Sequence, residues 1–368
     1  MVKLIWKNKT DKASEMENLI NSSSNYFEQF ESHSSFSDDK IKKKTSTKSW
    51  RNQLFWGENL ELLYYLLNKF EDTIDLIYID PPFFSGVNYE INIKEDGRSY
   101  DSIAYYDHWN KDLDSYLQMI YERIIIFKKL LVKTGLLFIH SDWHANHYIK
   151  LILDEVFGEK QFINSIVWYY YNKYSAGKKN LPRAHDYILV YSKSNNYTFN
   201  ELRIPRKKPR KQLMREMKNG VLKNVKDERG HVKYRVVTDK KLDDVWKIPC
   251  LQPASSHWTG YPTQKHHDLL KRIIKIGSNE GDLIADFFCG SGTTLLVAEE
   301  LNRRWIGCDI SQYSIYLTRK RLLKFREHNI VRENAKYPFD ISTNLTVERR
   351  TLIESGFFEK ELEIKRKK

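Results

Sequence analysis

Leu76-Ile77-Tyr78-Ile79 is apolar at every position and stops against Asp80-Pro81-Pro82-Phe83. An unbroken apolar run of strand length leaves no face for water, so it belongs to a parallel strand covered on both sides. The two prolines end it, because each locks φ and offers no N–H to a ladder. The pattern recurs late in the chain. Leu283 to Asp286 precedes the glycine turn Phe288-Cys289-Gly290-Ser291-Gly292, and Thr293 to Leu301 reads as the helix that turn opens. Elsewhere Gln53 to Trp56, Gly135 to His140 and Arg304 to Cys308 read as strands. Leu60 to Phe70, Asp112 to Leu131, His144 to Phe157 (capped by Asp142) and Tyr313 to Arg326 read as helices. Phe162 to Tyr171 and Tyr187 to Ser192 read as an antiparallel pair at a sheet edge. This alternation predicts an α/β fold, a doubly wound and mostly parallel sheet with ligands at the carboxyl ends of its strands.

Charge narrows the partner. Lys and Arg total 61 against 48 Asp and Glu, a formal net charge of +13, which favours a polyanion. The excess concentrates where Arg203, Arg206, Lys207, Lys208, Arg210, Lys211, Arg215 and Lys218 face Glu201 and Glu216. Arg206, Lys207, Lys208, Arg210 and Lys211 are the candidate phosphate contacts. No apolar run approaches the roughly 18–20 residues that span a bilayer, so no membrane partner is expected. Met1 to Lys7 lacks the apolar stretch of a signal peptide, and three cysteines suit a reducing compartment, so a cytoplasmic location is expected.

The glycine turn reads as a nucleoside-cofactor site. Leu295 stands where a dinucleotide fingerprint would place a third glycine, and the Gly-Lys-Ser/Thr of a phosphate loop is absent. Asp286 would repel phosphate and welcome a cationic amino acid tail. Asp309, ending the next strand, is placed to accept from ribose hydroxyls. A ribose, an ammonium and no phosphate describe S-adenosyl-L-methionine. The early motif suits its reaction partner. The lone pair of an exocyclic amine such as adenine N6 is delocalised into the ring, so both its N–H groups need acceptors before the nitrogen can pyramidalise. Asp80 and the Pro81 carbonyl supply them, Pro82 helps hold them rigidly, and Phe83 offers a face for an extruded base.

On these residues the chain resembles the β group of amino DNA methyltransferases, in which the catalytic motif precedes the cofactor motif. Matching stretches include Trp56 to Leu60, Asp80 to Phe83, His140 to Asp142, Asp154 to Gly158, Ile166 to Trp168, His185 to Lys193, Tyr261 to Lys265, Asp286 to Leu296 and Arg303 to Ile310. The resemblance implies a Rossmann-like S-adenosylmethionine-dependent methyltransferase fold with circularly permuted motif order and an inserted target-recognition region. It implies that Asp286, Phe288, Gly290, Gly292 and Thr293 cradle the methionine end and that Asp309 binds the ribose. Thr263, Gln264 and Lys265 would then lie near the cofactor carboxylate, and Glu58 and Asn59 near its adenine. It implies double-stranded DNA as substrate, adenine N6 as target, a restriction endonuclease subunit as a partner and a homodimer as an assembly. The expected division is an arm over 1–50, partly disordered, and a catalytic half over 51–160. Edge strands and target recognition occupy 161–260, the cofactor half 261–330 and a charged tail 331–368. Phe84-Ser85-Gly86, Phe287, His266 and Glu58 depart from the family's usual Asn-Thr-Gly, proline, proline and aspartate.

Other chemistries fit less well. Pro249-Cys250 resembles a cytosine-C5 nucleophile, but the cofactor motif follows it instead of preceding it. His140, Asp142, His144 and His147 suggest a metal, yet methyl transfer from a sulfonium needs none, so no metal is expected. Trp109, Tyr105 and Tyr106 are candidates for DNA contact or for core. N4-cytosine methylation and a non-catalytic DNA-binding subunit that keeps the fold are the rival functions.

Overall fold

The apolar runs become neighbouring strands of one sheet. The structure, a computed structural model, describes residues 2–7, 9, 27–34, 50–86, 89–95, 98–105, 107, 112–173, 179–328, 337–344 and 346–354, with backbone alone over 89–105. Trp109 and the side chains of Tyr105 and Tyr106 lie outside this description, as do most of the expected arm and the last residues of the tail. In chain order the elements are β1 (Glu28–His33), β2 (Asn52–Trp56), α1 (Asn59–Phe70), β3 (Ile74–Ile79), β4 (Tyr89–Glu95), β5 (Arg98–Tyr105), α2 (Leu113–Leu130), β6 (Leu131–Ser141) and α3 (Asn146–Phe157). There follow β7 (Phe162–Tyr169), β8 (His185–Ser192), β9 (Arg203–Leu213), β10 (Arg215–Lys218), β11 (Val221–Asn224), β12 (Tyr234–Lys241), β13 (Val245–Lys247) and α4 (His267–Gly277). The last described elements are β14 (Leu283–Asp286), α5 (Thr293–Glu300), β15 (Arg304–Asp309), α6 (Gln312–His328), β16 (Phe339–Thr343) and α7 (Val347–Glu354).

Among the described residues ten strands form the main sheet, in the order β1-β16-β2-β15-β14-β3-β6-β8-β7-β13. The six from β16 to β6 are parallel, and β8 runs antiparallel to both β6 and β7. Side chains alternate between two packed layers. Ile77 and Ile79 join α1, α2 and α3 on one face, while Leu76 and Tyr78 join α4, α5 and α6 on the other. Burial on both faces is why these strands carry no polar alternation.

From β14 the chain turns through α5 to β15. From β3 it turns through α2 to β6, on the other side. The order of connection therefore reverses between the parallel neighbours β14 and β3, where Ile284 pairs Leu76 and Ala285 pairs Ile77. A crevice opens at such a switch point, outside the carboxyl ends of both strands. Asp286 and Asp80 stand there side by side.

Some local expectations shift. Helix α3 begins at Asn146, and Asp142 caps no helix; it accepts from His144 N at 2.9 Å instead. Strand β8 is interior, because β7 and then β13 lie outside it. Residues 28–33 of the expected arm pair with β16, which itself comes from the expected tail. Residues 203–241 leave the sheet as two antiparallel ribbons, β9 with β12 and β10 with β11. Asn219 and Gly220, both at positive φ, make the tight turn of the second ribbon.

Candidate active site

One cavity of about 290 Å³ occupies the crevice. Its walls come from the end of β3 (Asp80, Pro81, Pro82, Phe83), the start of α1 (Glu58, Asn59) and the loop before α4 (Thr263, Gln264, Lys265). The end of β14 and the glycine turn (Asp286, Phe288, Gly290), Thr293 of α5 and Asp309 of β15 complete them. Every cofactor or base residue read from the sequence thus meets there except Gly292. Gly292 caps α5 at φ 73, and a Cβ on it would meet Thr318 at 2.5 Å, so it shapes the turn from behind.

The two acids of the glycine side are buried. Asp286 accepts from Phe288 N at 3.1 Å and from the Thr294 hydroxyl, and burial pushes its pKa up to about 7. Asp309 accepts from Gly290 N at 2.8 Å and Ser311 N at 2.9 Å, and burial pushes it up to about 6. No basic side chain projects from the turn itself. The nearby N–H groups of Phe288 and Gly290 are taken up by the two acids, and carboxylates at the cavity wall accept from a cation or a sugar hydroxyl and repel a phosphate.

Several expected ligand residues are held by the protein. Glu58 accepts from Leu60 N and Glu61 N at the start of α1 and pairs with Arg123. Asn59 donates to Phe287 O at 2.9 Å and accepts from Arg123 Nε at 2.6 Å. Gln264 accepts from Thr259 N at 2.9 Å and donates to His257 O at 2.9 Å, which ties its own loop. Lys265, expected near a cofactor carboxylate, pairs with Asp80 and donates to Thr263 O at 3.0 Å.

The base side is rigid around one unsatisfied atom. Tyr116 donates to Pro82 O at 2.9 Å. The buried carboxylate of Asp107 accepts from Phe84 N and Ser85 N, both at 2.9 Å, and so holds Phe84 at a left-handed φ of 62. Asp80 Oδ1 is buried and has no hydrogen-bond donor; His140 Nδ1 lies 3.4 Å away. Leaving a buried carboxylate oxygen unpaired is costly, and a substrate N–H would remove that cost.

Sequence reasoning missed Arg123, Asp107, Tyr261 and Asp186. Arg123 had a signal: it is a charge set among Tyr116, Ile120 and Phe127 on the buried stripe of α2. Of the decoys, Cys250 bonds Asn172 and lies off the cavity, while Cys289 lines it with its thiol pushed up by burial. His144 pairs with Asp142 at 2.6 Å. Among the described residues no group of three or more His, Cys, Asp or Glu is arranged to hold a metal, and no helix is long and apolar enough to cross a membrane.

The candidate phosphate contacts stand apart, on the exposed strand β9. Arg206 already donates to Asp239 O at 2.8 Å. Residues 203–241 hold fifteen lysines and arginines against four acids, so nearly all of the chain's excess positive charge sits on the two ribbons.

Comparison with known proteins agrees with this geometry. Type II methyltransferase M.EcaI of Enterobacter cloacae is 28% identical over 324 residues, covering 73% of this chain and 69% of that protein. DNA adenine methyltransferase YhdJ of Escherichia coli (strain K12) is 30% identical over 252 residues, covering 68% of this chain and 76% of that protein. The StyLTI Mod subunit of a Salmonella typhimurium type III restriction-modification enzyme is 25% identical over 356 residues, and this chain spans about half its length, 53%. Residues 74–320, most of the chain and every cavity-lining residue except Glu58 and Asn59, match the DNA methylase family N6_N4_Mtase, and to that family the chain belongs.

Proposed function

We propose that this DNA methyltransferase transfers a methyl from S-adenosylmethionine to N6 of an adenine extruded from duplex DNA, as the modification enzyme of a restriction-modification system. The unpaired Asp80 Oδ1, at the wall between the base side and the cofactor side, carries the reading. S-adenosylmethionine supplies an electrophilic methyl when bound. Asp286 suits its ammonium, Asp309 its ribose hydroxyls, and Gly290 leaves room because a Cβ there would already meet Tyr261 at 3.2 Å. Asp80 Oδ1 accepts one amine N–H and Pro81 O the other. Tyr116 occupies the neighbouring Pro82 carbonyl and fixes the direction of the loop. With both N–H groups engaged, the amine nitrogen loses conjugation and exposes its lone pair. Phe83 covers the face of the base.

Aspartate at position 80, where the cytosine enzymes of the resembled family more usually carry serine, favours adenine. The names of the relatives, which include an adenine methyltransferase and type II and type III modification enzymes, support the biological setting. The charged ribbons provide the phosphate contacts, since counterion release from a duplex needs this density of exposed cations. Mass analysis of nucleosides from DNA incubated with the enzyme tests the reading. N6-methyladenine is expected; N4-methylcytosine or unmodified DNA would overturn it.

A further inference from the structure

His140 is a polar ring set into the middle of the sheet. It is the penultimate residue of β6, fully buried, and pairs in register with Ile188 of β8. Its nitrogens face two carboxylates on opposite sides. Nε2 lies 3.3 Å from Asp186 Oδ2; Nδ1 lies 3.4 Å from Asp80 Oδ1 and 3.2 Å from the Tyr78 hydroxyl. Asp186 receives the Tyr170 hydroxyl on its other oxygen at 3.0 Å. The rings of Phe83 and Trp168, each 5.4 Å away, close the remaining sides.

Counting protons around the ring decides what it can do. Burial, with added repulsion from Asp80, Asp286 and Asp186, pushes the Tyr78 hydroxyl well above its usual range, so it stays protonated. With the ring proton on Nε2 toward Asp186 Oδ2, the Nδ1 lone pair lies between the Tyr78 hydroxyl, which can itself donate or accept, and Asp80 Oδ1. Burial works to raise Asp186, but the hydrogen bond and charge of His140, together with Lys265, hold it below the usual carboxylate range. Asp80 Oδ1 is thus an acceptor without a donor, 3.4 Å from a second acceptor. Two acceptors so placed hold one shared proton well.

We infer that His140 is a positioning residue that takes up, through Asp80, the proton shed by the target amine. The inference rests on the amine reading above. The nitrogen–carbon bond forms as the carbon–sulfur bond breaks, and that electron pair stays on sulfur. The nitrogen's N–H bond then breaks. The proton passes to Asp80 Oδ1 and on to His140 Nδ1, leaving a neutral secondary amine and an imidazolium, which returns the proton to water after product leaves. The charges facing this path are Asp80 at the end of β3, Asp186 on β8, Lys265 before α4 and, beyond Asp186, Asp142 after β6. Asp186 stabilises the imidazolium that results.

The test pairs a ring titration with single-turnover methylation. In the free protein, NMR follows the His140 imidazole as pH is varied, without cofactor or DNA. The wild-type rate is expected to rise with pH through an inflection set by that ring. Asp186→Asn should move the titration and the inflection down together. His140→Gln, which keeps hydrogen bonds but cannot take a proton, should lower the rate by roughly 10²-fold with unchanged binding of S-adenosylhomocysteine and unchanged 2-aminopurine fluorescence at the target base. A His140→Gln enzyme with the wild-type rate and profile would overturn the inference. So would an Asp186→Asn enzyme whose titration moves while its rate profile stays, which serves even where His140→Gln does not fold. A wild type that methylates no DNA would overturn the amine reading and this inference with it; the variant results, with an active wild type, overturn this one alone.

Discussion

Cofactor affinity should depend steeply on pH, because the acid offered to the ammonium is only half ionised at neutrality. Burial holds Asp286 at about 7 in the ligand-free protein. A cation placed beside it favours the charged form, so its pKa falls on binding and a proton leaves. The sign follows. Affinity is weak where Asp286 is protonated, rises as pH increases through about 7, and flattens above it. With an ionised carboxylate required, going from about pH 8 to about pH 5.5 weakens binding roughly 30-fold, or about 2 kcal/mol at 1.36 kcal/mol per pKa unit. Asp309, at about 6, works in the same direction and steepens the acid end. Isothermal titration calorimetry with S-adenosylhomocysteine reads the affinity directly. Repeating it in buffers of different ionisation enthalpy counts the protons released. Asp286→Asn should bind more weakly at high pH and lose most of the slope. A dissociation constant that stays flat across this window in the wild type, with no proton released, would refute the assignment of Asp286 to the cation.

Two further outcomes follow from geometry. Replacing Lys208, Arg210 and Lys211 with glutamine should flatten the plot of log affinity for duplex DNA against log salt by up to about 0.9 for each phosphate that is no longer neutralised; an unchanged slope would make β9 an ordinary solvated face. Gly292→Ala puts a Cβ 2.5 Å from Thr318 at a φ of 73, and chemical denaturation should show a loss on the order of 2–4 kcal/mol from the combined backbone and packing cost, whereas a loss within error would mean that the turn is not tightly specified.

The site was legible because a parallel sheet gathers its chemistry at one edge. Once Leu76 to Ile79 and Leu283 to Ala285 read as doubly buried strands, Asp80 and Asp286 had to emerge at the same end. The glycine turn and Asp309 followed from the next strand–helix step. What stayed hidden depends on pairing between distant residues. His140 and Asp186 face each other only because β6 and β8 run antiparallel in the register His140 to Ile188, which no local pattern encodes. The ribbons were hidden for another reason. Along β9 charged residues succeed one another and most positions are exposed, so no apolar period marks a strand. Asn219-Gly220, a strong hairpin signal, was the one local clue there. Strands β1 and β16 lie in stretches whose polar composition suggested no strand, and β16 is recruited by pairing with β2.

The central claim is that Asp80 activates the amine without serving the cofactor, and Asp80→Ala separates the two. Single-turnover methylation by this variant should fall by at least about 10²-fold, as for loss of a group that stabilises developing charge, while its S-adenosylhomocysteine affinity matches wild type. Near-wild-type methylation by Asp80→Ala, or loss of cofactor binding in proportion to activity, would contradict the account.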